Sequence, residues 1–197
     1  MKQRKLKLGV LGSGSGTNMQ AILDAIEAGS LHAEIVLVLS DQEDAFILER
    51  ARRVGIPAGL IDCGGFRSKF PEEKQAIVAQ RLLGAGVDLV CLAGFMRLVK
   101  AELLNAFPQR VLNIHPSLLP AYPGLMAWKQ AVDDGAAESG CTVHYVDVGM
   151  DTGPIIQQAR VPVLEGDTAE TLHQRIQVQE HRLYPEVIQG MASVLLG

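Results

Sequence analysis

The chain has 197 residues, of which 48% are hydrophobic, 20% charged and 5% aromatic, with a formal net charge of −4. That balance suits a single globular domain with a substantial core and argues against a general nucleic-acid binder, whose surface would be basic. The only basic block, Lys2 to Lys7, is short, and a local basic pocket for a small anion stays open. Cys63, Cys91 and Cys141 are widely spaced, odd in number and without a C-x-x-C, so they give no disulfide framework and suit a reducing cytoplasm. The apolar run Leu8 to Leu11 is too short for a signal peptide, and no segment reaches the roughly 18 apolar residues that span a membrane. The expectation is a cytoplasmic protein with no membrane partner and one domain over residues 1–197.

Leu6 to Leu11 reads as a first strand. Gly12-Ser13-Gly14-Ser15-Gly16-Thr17-Asn18 follows, and its alternate glycines allow a sharp turn and a close approach to a ligand. Met19, Ile22, Leu23 and Ile26 then fall at helical spacing, and Thr17 with Gln20 fits a capping box. A glycine loop that opens a helix favours a phosphate at the free N–H groups. It is not a dinucleotide fingerprint, because Gly16 comes one residue early, although Asp41 could imitate the ribose-binding acid. It is not a Walker A loop, because no Lys-Ser or Lys-Thr follows. A plain tight turn is the remaining alternative.

Ile35 to Leu39 is a second strand, and Ala45, Leu48 and Ala51 mark a helix ending near Gly55. Pro57 to Ile61 begins a short third strand. Ile77, Val78, Leu82 and Ala85 predict another helix, and Val87 to Ala93 an apolar strand. Strands and helices alternating in this way predict a parallel sheet with right-handed crossovers. Gly94-Phe95-Met96-Arg97-Leu98 could then line a pocket for a flat, partly apolar ligand with an anionic part, or simply lead into a core helix.

Val111 to His115 reads as a buried strand that Pro116 must end, since proline has no N–H for the ladder. Asn113 and His115 lie two apart and so share a face at the carboxyl edge, where open α/β sheets bind ligands. A capped strand with a buried, hydrogen-bonded His is the plain alternative. Trp128, Ala131 and Val132 suggest a short helix. Cys141 to Val146 and Ile155 to Val163 read as strands. The intervening Asp147 to Gly153 is either a functional loop or a polar turn. His144, within its strand, reads as structural. Asp167 and Glu170 begin a last helix whose stripe is Leu172, Ile176 and Leu183, and Pro185 must kink or restart it.

Asn113, His115 and Asp151 would together supply an amide donor, an imidazole and a carboxylate. A carboxylate beside an imidazole favours its charged form and orients it, and an amide N–H₂ can stabilise an oxyanion. That kit suits attack of a nucleophile on a carbonyl without a covalent enzyme intermediate. Ser117 shows no activation. A metal on His115, His144 and Asp151 has no recognised spacing, so no metal is expected.

With these residues in place the sequence resembles the folate-dependent formyltransferases. The carrying segments are G-S-G-S-G-T-N-M-Q-A-I, A-F-I-L-E-R-A, L-A-G-F-M-R-L, L-N-I-H-P-S-L-L-P, D-T-G-P-I-I-Q-Q-A and Q-E-H-R-L-Y-P, which run from residue 12 to residue 185. The glycine loop ending Gly16-Thr17-Asn18 narrows the resemblance to the phosphoribosylglycinamide formyltransferases (glycinamide ribonucleotide transformylases) of purine biosynthesis.

The resemblance implies a Rossmann-like open sheet, mainly parallel with an antiparallel C-terminal part and helices on both faces. The N-terminal half would bind the ribonucleotide phosphate and the C-terminal half the folate. It implies transfer of the formyl group of 10-formyltetrahydrofolate, a co-substrate, to the amine of phosphoribosylglycinamide. Gly16, Thr17, Asn18, Gln177 and Glu180 match the ribonucleotide contacts. Lys69, Met96, Arg97, Leu98, Val99, Asn113, Val146, Asp147, Val148, Gly149, Met150 and Asp151 match the folate pocket. Asn113, His115 and Asp151 match the catalytic trio, with Asn113 and protonated His115 on the oxyanion. Lys69 stands where the family often has Arg, and the planar fork is lost. Met126 stands where the family usually has His, so no donor or relay is available there.

A formyltetrahydrofolate hydrolase would share the kit, but usually carries an additional N-terminal regulatory domain. A methionyl-tRNA formyltransferase would carry a C-terminal RNA-binding domain. A non-catalytic nucleotide-binding module would leave Asn113, His115 and Asp151 without a use. Oligomeric state stays open.

Overall fold

The computed structural model describes residues 4–66 and 69–197; Lys2, in the basic start, lies outside the described residues. Seven strands form one sheet in the order β3-β2-β1-β4-β5-β6-β7. Strands β1 (Leu6–Leu11), β2 (Ala33–Ser40), β3 (Ala58–Leu60), β4 (Leu89–Leu92) and β5 (Val111–His115) are parallel. Strands β6 (Glu138–Tyr145) and β7 (Ile155–Pro162) add an antiparallel edge. The mixed, mainly parallel sheet is the one expected.

Period-2 alternation sorts the apolar side chains onto two faces. Leu8, Val10, Val38, Cys91 and Ile114 belong to one core, with helices α1 (Thr17–Glu27), α2 (Phe46–Arg53), α5 (Ala127–Asp133) and the long C-terminal α6 (Ala169–Leu196). Leu11, Leu37, Leu39, Val90, Leu92 and Val111 belong to the other, with α3 (Glu72–Gly84) and α4 (Ala101–Ala106). Helices on both faces leave the strand ends as the place where loops can meet. Tyr184 of α6, fully buried, reaches the carbonyls of Leu92 and Leu112 at 3.0 and 3.1 Å and ties the helix to β4 and β5.

Several local expectations need correction. Thr17 and Gln20 form no capping box: Gly16 is the N-cap, in the left-handed region at φ 72°, and no side chain caps the helix. Gln20 instead donates to Asp24 and accepts from Arg50. Ile77 is 54% exposed, and α3 buries Gln75, Val78, Ala79 and Leu82. Val78 and Leu82 are in the core as expected and Ile77 is not; the polar Gln75 takes a core position by bonding the Phe70 carbonyl. Pro185 does not restart the last helix, which runs through it from Ala169 to Leu196. Pro185 is buried within that helix, so tertiary packing overrides the local propensity to break. Helix α4 follows the Gly94–Leu98 segment, as the alternative of a strand end leading into a core helix had it, though its bounds were not read from the sequence.

Candidate active site

The sequence of strands in the sheet reverses direction between β1 and β4, and there the ends of neighbouring strands part and leave a crevice. The glycine loop leaves β1 into this crevice. Gly12 donates to Leu39 O and Ser13 to Gly94 O, so the loop is stitched to the ends of β2 and β4. A Cβ on Gly12 would lie 2.7 Å from the Ala93 carbonyl, and one on Gly16 would lie 2.8 Å from Ile47. Only glycine fits both places, and Gly16 also needs its positive φ. The first N–H groups of α1 therefore open without a side-chain cap, the arrangement that receives an anion.

The same crevice contains a latch. The Ser13 hydroxyl donates to Asp41 (2.5 Å) and accepts from the Met96 N–H (2.8 Å). Arg97 donates to the other Asp41 oxygen at 2.6 Å and to the Phe66 and Lys69 carbonyls. Both side chains of the Arg97–Asp41 pair are buried. Burial pushes the Asp41 carboxyl up, but bonds from Ser13, Gln42 and Arg97, with the Arg97 charge, more than offset it and leave it below its ordinary value. Arg97 and Asp41 are thus each other's partner in this structure. A cleft of about 480 Å³ opens beside the latch, lined by Ser13, Ser15, Asp44, Phe46 and Met96.

Asn18 of α1 donates to Glu180 of α6 at 3.3 Å, so the two ribonucleotide candidates from opposite ends of the chain meet. Glu180 is 5% exposed, and burial raises its carboxyl to about 7 despite the Asn18 bond. Gln177 stands three residues earlier, on the same side of α6.

At the end of β5 the expected trio is brought together. Asp151 Oδ2 lies 3.4 Å from His115 Nδ1, and Asp151 Oδ1 lies 3.4 Å from Asn113 Nδ2. Asp151 sits in the left-handed region at φ 56°, and the Gly124 N–H donates to its Oδ2 at 2.8 Å. That backbone donor, supplied by the Pro123-Gly124 turn, holds the carboxylate against both partners. His115 Nε2 faces the Tyr122 carbonyl at 2.9 Å. Ser117 is committed to the Ala121 carbonyl, as expected of a side chain with no activation.

His144 was read as structural, yet its Nε2 lies 3.2 Å from Asn113 Nδ2 and 3.7 Å from Asp151 Oδ1. The signal lay in pairing: in the antiparallel β5–β6 ladder His144 stands directly opposite Asn113. A one-dimensional reading cannot see that register.

The remaining folate candidates divide. Met96, Leu98, Val148 and Met150 are 40–58% exposed and rim the trio's end of the sheet, while Val99 is buried. Asp147 accepts from Gly149 N and Thr152 Oγ1, so it shapes its own turn. Lys100 donates to Val148 O at 2.5 Å and joins the two rim loops. Lys69 is exposed, its Nζ 5.1 Å from the Phe66 ring centroid. Among the described residues no group of three or more His, Cys, Asp or Glu could hold a metal ion, and no helix is long and apolar enough to cross a membrane.

An amide, an imidazole and a carboxylate converge at the end of β5, on the sheet edge from which α1 also starts. They can polarise a carbonyl oxygen and accept a proton from an attacking amine.

Known proteins resemble this chain in sequence and fold. A phosphoribosylglycinamide formyltransferase of Bacillus subtilis is 44% identical over 188 residues, spanning 95% of this chain and 95% of that one. The crystal structure of glycinamide ribonucleotide transformylase 1 from Symbiobacterium toebii superposes with a TM-score of 0.92 at 54% identity, covering 96% of this chain and 89% of that one. A trifunctional purine biosynthetic protein of Drosophila pseudoobscura pseudoobscura is 47% identical over 195 residues, and the chain spans only 14% of its length. The formyl transferase family model matches residues 6–188, which takes in every loop of the site from Gly12 to Glu180, and the chain belongs to the formyl transferase family.

Proposed function

We propose that this chain transfers the formyl group of 10-formyltetrahydrofolate to the amine of phosphoribosylglycinamide. The observation that carries the reading is the convergence of Asn113, His115 and Asp151 at the strand edge that also bears the uncapped start of α1. The names of relatives matching nearly its full length support formyl transfer to phosphoribosylglycinamide.

Gly16, Thr17 and Asn18 would hold the phosphate through backbone N–H groups. Gln177 and Glu180 would contact the rest of the ribonucleotide. The exposed apolar side chains Met96, Leu98, Val148 and Met150 suit a flat, partly apolar ring, so the rim fits a folate. Bound there, the folate supplies an acyl carbon on a nitrogen leaving group. Asn113 Nδ2 donates to the formyl oxygen as it gains charge, with the His115 ring held beside it between Asp151 and the Tyr122 carbonyl. Asp151 orients His115 and takes part in moving the proton that the attacking amine loses. The balance is one new bond from amine nitrogen to formyl carbon, one bond broken to the donor nitrogen, and one proton passed to that nitrogen. Enclosing the site matters, because water would otherwise compete with the amine.

The test is turnover of purified protein with 10-formyltetrahydrofolate and phosphoribosylglycinamide. Equal amounts of formylated ribonucleotide and deformylated folate are expected, only when both substrates are present. Formate released at the same rate without the acceptor would instead support a hydrolase, and no turnover of either kind would overturn the reading.

A further inference from the structure

The two ends of an asparagine amide have the same shape and opposite hydrogen-bonding character. If Asn113 turned its Oδ1 toward the site, that oxygen would oppose the Asp151 carboxylate and any oxyanion beside it. Asp151 alone holds the amide weakly, at 3.4 Å. A second partner is closer: His144 Nε2, at 3.2 Å.

His144 is 2% exposed. Its Nδ1 lies 2.8 Å from the carbonyl of Tyr145. A carbonyl only accepts, so Nδ1 carries the hydrogen. In the neutral ring Nε2 is then an acceptor, and the Asn113 atom facing it must be the donor Nδ2. Burial, aided by the neighbouring His115, holds the His144 pKa below its ordinary value and so favours the neutral ring, although the Tyr145 bond, Asp151 and Asp147 favour charge. The strand pairing sets Asn113 opposite His144, and a register shift in β6 between Val143 and His144 re-aims the backbone there.

We infer that His144 is a positioning residue: it accepts from one Asn113 Nδ2 hydrogen and thereby fixes the amide with its other hydrogen toward Asp151 and the reacting carbonyl oxygen. The chain of command runs from the Tyr145 carbonyl to the His144 tautomer to the Asn113 amide. The effect on rate rests on the formyl-transfer reading; the orientation itself does not.

Two measurements separate these. Nitrogen-15 NMR of the unliganded protein at neutral pH should show His144 neutral with its hydrogen on Nδ1. A hydrogen on Nε2, or a charged ring, overturns the inference whether or not the protein turns over. Kinetics then compare His144→Leu with His144→Gln, whose Oε1 can accept near the place of Nε2. His144→Leu should lower kcat about tenfold to 10²-fold, with both KM values within about threefold, as for a donor that acts on the transition state. His144→Gln should recover most of that loss. Wild-type kcat in His144→Leu, or a loss that Gln does not relieve, overturns the inference. If thermal denaturation shows that His144→Leu does not fold, the tautomer spectrum decides. An inactive wild type with the expected tautomer would remove the proposed function and leave the orientation standing.

Discussion

Each polar side chain at the crevice is defined by what it already bonds. Asp151 is held by Gly124 N and shared between His115 and Asn113, so its charge serves two groups at once. Asp151→Asn keeps the shape and removes the charge; kcat should fall about 10²-fold or more, with smaller changes in substrate binding. Adding His115→Ala should cost little more than the worse single change, because the pair acts as a unit. Steady-state kinetics of the two single variants and the double variant check this, and fully additive losses would show two independent roles. Glu180 gives a different signal. Burial raises it from the ordinary glutamate value of 4.5 to about 7. The folded state therefore binds a proton that the unfolded state releases. Stability from this group is fully present below about 4.5 and is lost as pH rises through about 7. Glu180→Gln should accordingly raise the melting temperature relative to wild type more at pH 8 than at pH 5. A gap between the two proteins that is the same at both pH values would show that Glu180 does not titrate in this way.

At the scale of elements, the loop from β1 into α1 depends on two backbone demands at Gly16: positive φ, and a Cβ position only 2.8 Å from Ile47. Gly16→Ala should destabilise the fold by roughly 1–2 kcal/mol from conformation alone, with the Ile47 collision adding to it. It should also raise KM for the phosphorylated acceptor, because the α1 N–H groups lose their alignment. Wild type should bind the dephosphorylated acceptor much more weakly than the phosphorylated one, which calorimetric titration measures. Equal affinities would remove the phosphate assignment of residues 16–18.

At the scale of the molecule, α6 matters most to the site's rigidity. It carries Glu180, and one turn later Tyr184 bonds to β4 and β5, the strands that end at Leu92 and His115. Tyr184→Phe removes a buried donor and should cost about 1–3 kcal/mol by leaving strand carbonyls short of a partner. Urea denaturation should show a lower midpoint with an unchanged slope. Unchanged stability would mean that apolar packing alone holds α6 in place. The buried Arg97–Asp41 pair ties the β4 loop to the end of β2 in the same manner, across the crevice.

Hydrophobic period and turn chemistry were enough to read the strands, most helices and the loops at the carboxyl edge. Val111 to His115 was bounded correctly because Pro116 ends any ladder, and alternation put Asn113 and His115 on one face. The convergence of Asp151 with them was expected from its loop and the resemblance. What the chain order could not show was which polar groups satisfy one another across it. Arg97 looked free until Asp41, 56 residues away, took its charge. Thr17 looked like half of a cap until Gly16 took the cap position. Pro185 looked like a break until packing buried it within a continuous α6. His144 looked inert until strand register set it against Asn113. Periodicity and turn preference are local properties of sequence, whereas a hydrogen bond between distant side chains exists only once the tertiary structure has fixed their separation.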